Sequence, residues 1–133
     1  MNKCTNCKKE NTLRPYEGPV KMRGVEVVGR GEQCTSCKDV VFPLADVQRQ
    51  ELQAATKIVE RGIRDGKEFQ FVRKMADLKA TELAELLDVR PETVSRWERG
   101  ETPIALAAAF ALGELYSRPR VVRKQLEAIG ARG

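Results

Sequence analysis

The chain has 133 residues, of which 41% are hydrophobic and 32% are charged; this composition is typical of a folded protein with room for one ordinary domain or two small ones. The formal net charge of +5 is spread along the chain, with 12 basic and 9 acidic residues in residues 1–66 and 12 and 10 in residues 67–133. This balance excludes a basic tail, so any nucleic-acid surface must come from local placement of charges. The sequence has no histidine, which removes the usual general base and every histidine-ligated catalytic zinc, and we therefore expect no enzyme.

The N-terminal segment contains two CxxC pairs, Cys4 with Cys7 and Cys34 with Cys37. No stretch approaches the roughly 20 apolar residues that span a bilayer, and no secretory signal is visible, so we expect a cytoplasmic protein without a membrane partner. A reducing cytoplasm disfavours disulfides, and paired CxxC motifs there indicate tetrahedral zinc. Because protein fills all four positions, we expect one structural Zn²⁺ per chain.

Two alternatives for the cysteines stay open. A rubredoxin-like iron site also uses paired CxxC motifs, although its loops usually continue with glycine where this chain has Lys8 and Lys38. A redox-active disulfide pair is the other alternative. Lys8, Lys9 and Lys38 either offset the negative charge of a four-thiolate site or are ordinary solvated surface.

The residues between the cysteine pairs predict a β-hairpin. Residues 20–22 and 25–28 favour strands, and they flank a turn at Arg23-Gly24. The hairpin would bring the second cysteine pair back to the first.

Residues 43–64 predict a helix, ended by Asp65-Gly66, because apolar residues recur there at spacings of three and four. These apolar positions are Leu44, Val47, Leu52, Ala55, Ile58, Val59 and Ile63. The apolar face either packs on the neighbouring domains or binds a partner or a second copy.

Residues 67–117 predict a helix-turn-helix arrangement. The apolar positions are Phe71, Val72, Met75 and Leu78 in a first helix, Leu83, Ala84 and Leu87 in a second, and Val89 in the turn. A third helix should begin near Pro91, which suits a first helical position, and end at Gly100, which suits a C-terminal cap.

The third helix has two unlike sides. At about 100° per residue, Val94, Trp97 and Glu98 share one side. We predict that Trp97 anchors the helix in the core, with base stacking as the alternative. Glu98 faces inward and needs a cation, for which Arg73 on the first helix is the candidate.

The opposite side is predicted to enter the major groove of DNA. There Arg96 can donate two hydrogen bonds to guanine, Glu92 can accept from cytosine, and Thr93 can contact a thymine methyl group. Six further residues complete the predicted DNA site. The predicted phosphate contacts are Lys79, Thr81, Ser95 and Arg99, and the residues at the start of the helix are Arg90 and Pro91. For each residue, plain solvated surface is the alternative.

The sequence DLKATELAELLDV at residues 77–89, followed by TVSRWERG at residues 93–100, resembles the Cro/C1-type (XRE) helix-turn-helix family. The resemblance covers about fifty residues and implies sequence-specific binding of double-stranded DNA. Three positions depart from the family pattern: Ala80 stands where a glutamine is frequent, Asp88 replaces a turn glycine, and Arg90 replaces a serine or threonine cap.

The two modules together resemble the MqsA (YgiT-type zinc finger) antitoxin family over nearly the full chain. The residues that carry the likeness are the two cysteine pairs, the Arg23-Gly24 turn and the sequence CTSCKDVVF at residues 34–42. The resemblance implies a homodimer joined through the C-terminal domain, a palindromic operator, repression of transcription, and a toxin protein as the partner of the N-terminal module.

We therefore expect an α+β protein with a Cys4 zinc-binding hairpin module at residues 1–43, a connecting helix at 44–66, and a five-helix domain at 67–133. Dimerisation also has a physical argument. Useful affinity for DNA usually needs two half-sites about 34 Å apart, and a homodimer reads one with each copy. A symmetric interface is offered by the apolar residues of 104–115 with Tyr116, Val121, Val122, Leu126 and Ile129, unless the last helix folds back on its own domain. The alternatives to an antitoxin are a solitary regulator or a zinc-hairpin interaction adaptor.

Overall fold

A computed structural model describes residues 2–132, without the side chain of Arg132, and has three strands followed by six helices, so the predicted α+β class is confirmed. The chain divides into two compact units, Met1–Ala54 and Ala55–Gly133. The division falls within the first helix.

The first unit is built on an antiparallel sheet with strand order β1-β2-β3. Strands β1 (Leu13–Met22) and β2 (Val25–Cys34) pair along their whole length, and the short β3 (Val40–Val41) pairs with the end of β2. The turn between β1 and β2 has positive φ angles of 53° at Arg23 and 81° at Gly24. A two-residue hairpin turn of this kind matches the right-handed twist of the strands that it joins.

Both long strands extend well beyond the predicted residues 20–22 and 25–28. Pro15 and Pro19 obscure the strand pattern of β1. Within residues 2–132, however, β1 is an edge strand that pairs with β2 alone, and it tolerates the missing N–H groups. In β2, a Cβ at Gly29 would lie 2.7 Å from Gln50 Nε2, and one at Gly31 would lie 2.1 Å from the Val41 carbonyl oxygen. These glycines therefore allow close packing, although they weaken the strand signal.

Helix α1 (Leu44–Arg61) begins on this sheet, where it places the buried carboxylate of Asp46 against the backbone of β2. Asp46 accepts hydrogen bonds from Arg30 N–H at 2.8 Å, Gln50 Nε2 at 2.7 Å and the Arg49 guanidinium at 2.7 Å. The Arg30 N–H bond, with help from Gln50 and Arg49, lowers the pKa of Asp46 to about 2. The carboxylate thus joins helix and hairpin within the first unit.

The helix ends slightly earlier than its apolar pattern predicts. Gly62, with φ of 107°, follows its last residue. Asp65 and Gly66 do not end this helix, because Asp65 caps the next one by accepting a hydrogen bond from Glu68 N–H at 2.9 Å.

The second unit packs five further helices around one core. They are α2 (Gly66–Met75), α3 (Ala80–Leu87), α4 (Pro91–Glu98), α5 (Leu106–Ser117) and α6 (Pro119–Arg132). The core includes Ile58, Phe69, Val72, Leu83, Val94 and Leu112, all almost fully buried. The backbone of α2 comes so close to the end of α4 that a Cβ at Gly66 would lie 2.2 Å from the Trp97 carbonyl oxygen.

Candidate metal centre and nucleic-acid interface

The four cysteine sulfurs lie together, all within 4.8 Å of one another. The Sγ atoms of Cys4 and Cys37 are 3.6 Å apart, and so are those of Cys7 and Cys34. A tetrahedral zinc with Zn–S bonds of about 2.3 Å requires S–S separations of about 3.8 Å. The cluster therefore has the size and the ligand set to hold one metal ion, as the spacing predicts.

The two cysteine loops have the same backbone conformation. In each loop the residue after the second cysteine has a positive φ, 67° at Lys8 and 66° at Lys38. In each, this residue also donates its N–H to the carbonyl of the first cysteine, at 2.9 Å to Cys4 and 2.9 Å to Cys34. These lysines thus adopt the conformation that glycine favours, so the lack of glycine does not prevent the loop from forming.

Hydrogen bonds make the four thiols unequal. The Thr12 hydroxyl, 3.1 Å from Cys34 Sγ, and the N–H groups of Cys37 and Ser36 lower the pKa of Cys34 to about 6. Asp39 N–H and the Asn6 side chain also lower the pKa of Cys37. The pKa of Cys7 rises to about 11. The Lys9 N–H lowers this pKa, but desolvation and the neighbouring thiols raise it by more.

Three polar side chains around the cluster escaped the sequence analysis as site residues: Asn6, Thr12 and Ser36. Asn6 Nδ2 donates to Cys37 Sγ at 3.5 Å, and Lys9 Nζ donates to Ser36 Oγ at 2.9 Å across the two loops. The position of Asn6 inside a CxxC loop was an available signal, since such loop residues commonly approach the sulfurs. Nothing in the sequence pointed to Thr12.

In the second unit, α3, a short turn and α4 lie where the second and third helices of the predicted helix-turn-helix at residues 67–117 are expected. The turn depends on Asp88, whose φ of 56° places it in the left-handed region that the more usual glycine would occupy. Its N–H donates to the carbonyls of Ala84 and Glu85, which closes α3. Pro91 then occupies the first turn of α4.

The inner side of α4 packs on α2. Val94 and Trp97 are buried, and the Trp97 ring meets the edge of Phe69 with centroids 5.7 Å apart. Glu98 Oε2 lies 2.7 Å from Arg73 Nε, and both side chains are at least nine-tenths buried. Trp97 therefore lies in the core, and Glu98 forms an ion pair with Arg73.

Most of the residues predicted to contact DNA are exposed. Arg96 and Glu92 lie on the outer side of α4, opposite Val94 and Trp97. The other exposed members of the set are Lys79, Thr81, Arg90, Pro91 and Arg99, whereas Thr93 and Ser95 are half-buried.

Glu101 adds a negative charge to this surface that the sequence analysis did not include. The Arg99 guanidinium binds both the Glu101 carboxylate and the Ser95 hydroxyl. The hydrogen bond from Arg99, together with the charges of Arg99 and Arg96, lowers the pKa of Glu101. Part of the positive charge on this side of α4 is therefore already neutralised.

Comparison with known proteins agrees with this geometry. Residues 70–121 match the model of a family described as helix-turn-helix. A protein of Pyrococcus horikoshii that carries the provisional name of an HTH-type transcriptional regulatory protein is 34% identical over 79 residues, which cover 56% of this chain. The chain spans about a quarter of that relative, 24% of its length.

The class that fold and comparison define is a protein with a helix-turn-helix domain at residues 70–121 and, in its first unit, a four-cysteine cluster that could hold a metal. None of the helices within residues 2–132 is both long and apolar enough to cross a bilayer.

Proposed function

We propose that this protein is a sequence-specific DNA-binding regulator of transcription that represses its target as a homodimer, with one structural Zn²⁺ in each chain. The observation that carries the proposal is the division of α4 into a buried side with Val94 and Trp97 and an exposed side with Arg96 and Glu92. A helix of this kind, at the second position of a helix-turn-helix, is the element that reads the major groove.

Base reading is assigned to Arg96, Glu92 and Thr93, and backbone contacts to the residues around them. Arg96 is exposed, and its guanidinium matches the two acceptors of guanine. Arg90, Pro91 and Lys79 stand at the starts of α4 and α3, and helix starts favour contacts with phosphate. Thr81, Ser95 and Arg99 complete this set.

Zinc is the metal that suits the cluster best. Four thiolates are soft ligands, and the set leaves no open position for water or substrate, which is typical of structural zinc. When bound, the ion would hold the two cysteine loops together, and we assign it no part in a reaction.

Dimerisation is supported by α5. Leu106 is 89% exposed and Phe110, one helical turn later, is 70% exposed. Helix α6 packs on α5 and α3 and buries Val122, but Val121 and Ile129 stay exposed. These side chains suit a symmetric interface between two chains, in which each copy covers the apolar surface of the other.

The DNA proposal is tested by selecting sequences from a random duplex library with the full chain at low salt. We expect a palindromic motif with two half-sites. Arg96→Ala should relax the preference at one position of each half-site by ~1–3 kcal/mol. Lys79→Ala should weaken binding to all sequences and reduce the salt dependence by about one charge per half-site, which is about two for the dimer.

Arg120→Ala, which removes the same charge from α6, is the control and should change neither property. If no motif is enriched at low salt, the proposal is wrong, and the interaction adaptor becomes the better account of the fold. An unchanged base preference in Arg96→Ala would remove only Arg96 from the reading set.

A second role, as the antitoxin of a toxin-antitoxin pair, is favoured by exposed apolar side chains in the first unit. Leu44 is 73% exposed and Val28 is 43% exposed. Co-expression with the product of the adjacent reading frame tests this role. A complex that Leu44→Glu weakens would support it, and a solitary chain would leave a regulator without a toxin.

A further inference from the structure

The four cysteines of the cluster differ in how well they are shielded from solvent. Cys4 and Cys34 are buried, with 2% and 0% of their surface exposed, whereas Cys7 and Cys37 are half-buried. Only the second cysteine of each loop is therefore open to attack by a reagent from solvent. Reactivity of a metal-bound thiolate depends on this access and on the hydrogen bonds that the sulfur accepts.

Hydrogen bonding separates the two accessible sulfurs. Their backbone surroundings are alike, since the N–H of Lys9 faces Cys7 and the N–H of Asp39 faces Cys37. Cys37 Sγ also accepts a hydrogen bond from Asn6 Nδ2 at 3.5 Å. Among the described residues 2–132, no side-chain N–H or O–H donates to Cys7, whose side-chain contacts are with the other sulfurs of the cluster.

A hydrogen bond to a thiolate withdraws electron density from sulfur and must be broken or weakened when that sulfur attacks carbon. The hydrogen bond from Asn6 should therefore slow the reaction of Cys37 and leave that of Cys7 unaffected. Cys34 is buried, accepts hydrogen bonds from the N–H groups of Ser36 and Cys37, and has its Sγ 3.1 Å from the Thr12 hydroxyl. It should be the slowest of the four.

We propose that Cys7 is the primary modification site of the metal centre toward small soft electrophiles, and that Asn6 is a positioning residue that protects Cys37 from the same reaction. With an alkyl halide, a bond forms between Cys7 Sγ and carbon, the carbon–halogen bond breaks, and halide leaves. The sulfur becomes a thioether, which is a weaker ligand than a thiolate, so the metal is released. This inference rests on the zinc site proposed above.

The experiment uses the full, metal-loaded chain and iodoacetamide at limiting concentration. Samples are quenched with acid over time, and the modified cysteines are identified by peptide mass spectrometry while released zinc is followed with a chromogenic chelator. We expect Cys7 to react about fivefold faster than Cys37, with the buried pair slower still. Zinc release should follow modification of Cys7.

Three variants separate the hydrogen bond from simple shielding. Asn6→Ala and Asn6→Leu should both raise the rate at Cys37 to that of Cys7, because neither side chain donates and leucine keeps the bulk. Ser36→Ala is the matched control: it lies at the equivalent position of the other loop, and its side chain accepts from Lys9 without donating to a sulfur. Ser36→Ala should leave the order of the four modification rates unchanged.

The outcomes that overturn the inference are distinct. Equal rates at Cys7 and Cys37 in the metal-loaded wild-type chain would overturn it and leave the zinc site standing. Acceleration by Asn6→Ala but not by Asn6→Leu would reject the hydrogen bond as the cause. A purified chain without stoichiometric metal would reject the zinc site, and this inference with it, while the DNA-binding proposal would be untouched.

Discussion

Glu98 accepts hydrogen bonds from two side chains of α2. Arg73 donates to it at 2.7 Å from Nε and at 3.0 Å from its terminal nitrogen, and Gln70 donates at 3.3 Å. Arg73 also donates to the Leu78 carbonyl at 2.9 Å, so the guanidinium fixes the segment between α2 and α3 as well. A single buried carboxylate therefore ties α4 to the element on which it packs.

Removing one partner of this pair should be costly, since the other charge stays buried without compensation. We expect Glu98→Ala to lower the free energy of unfolding of the second unit by ~3–5 kcal/mol. Replacing both partners, as in Arg73→Met with Glu98→Leu, should lower it much less. Urea unfolding followed by the fluorescence of Trp97, the one tryptophan of the chain, measures both values. Equal losses in the single and double variants would contradict this account.

Residues on regular helices were the easiest to predict. Helical periodicity sufficed to place Trp97 and Glu98 inside and Arg96 outside, because α4 is regular and bounded by Pro91 and Gly100. Thr12 and Glu101 could not be found in this way. Thr12 lies outside any helix and contacts Cys34 only because the chain folds the two together. Glu101 is close to Arg99 in sequence but lies beyond the end of α4, where helical periodicity gives no orientation.

At the scale of elements, the turn between α3 and α4 shows how a non-glycine residue can end a helix. Asp88 adopts the left-handed conformation, which costs an ordinary side chain ~1–2 kcal/mol and aspartate less. We expect Asp88→Ala to destabilise the second unit by ~1 kcal/mol, and Asp88→Gly to leave its stability unchanged or raise it, in the same urea experiment.

Glu85→Ala is the control for this turn, because Glu85 is exposed on α3 and its replacement should change stability by less than ~0.5 kcal/mol. If Asp88→Gly proved as destabilising as Asp88→Ala, the aspartate side chain rather than its φ angle would be the cause.

The elements differ in how far their local sequence determines their structure. Helices α3 and α4 follow from apolar spacing and end signals, and their prediction needed no knowledge of the rest of the fold. The ends of α2 did not follow, since Asp65 and Gly66 begin it and Leu78 lies beyond its last residue, Met75. The strands were predicted too short, because Gly29 and Gly31 are required by α1 and by the segment after β2 rather than by the strand itself. Contacts between distant segments decide such positions, and single-sequence patterns do not contain them.

The two units of the whole molecule rely on different sources of stability. In the first unit the buried apolar side chains of the described residues are few: Cys4, Leu13, Val27, Cys34 and Ala54. The second unit buries a larger set that includes Phe69, Leu83 and Leu112. A metal site can supply ~10–16 kcal/mol, so the first unit should depend on it and the second should not.

Removal of the metal with a strong chelator under reducing conditions should therefore unfold the hairpin selectively. In a two-dimensional amide NMR spectrum, we expect the resonances of β1 and β2 to lose their dispersion while those of α2 to α6 keep theirs. Zinc added back should restore the spectrum. Dispersed hairpin resonances in a chain shown to be free of metal would mean that hydrogen bonds and packing alone hold the first unit.

The last prediction concerns assembly. If α5 forms a two-fold interface, one Phe110 from each copy is buried in it. Truncating both side chains should then lower the free energy of dimerisation by ~3–6 kcal/mol in total. Phe110→Ala should then weaken the dimer at least about 100-fold. Sedimentation velocity over a concentration series measures this change, with Leu44→Ala, an equally exposed position in the first unit, as the control. A dimer that survives Phe110→Ala would move the interface away from α5, and a wild-type chain that stays monomeric would leave each helix-turn-helix to bind a single half-site.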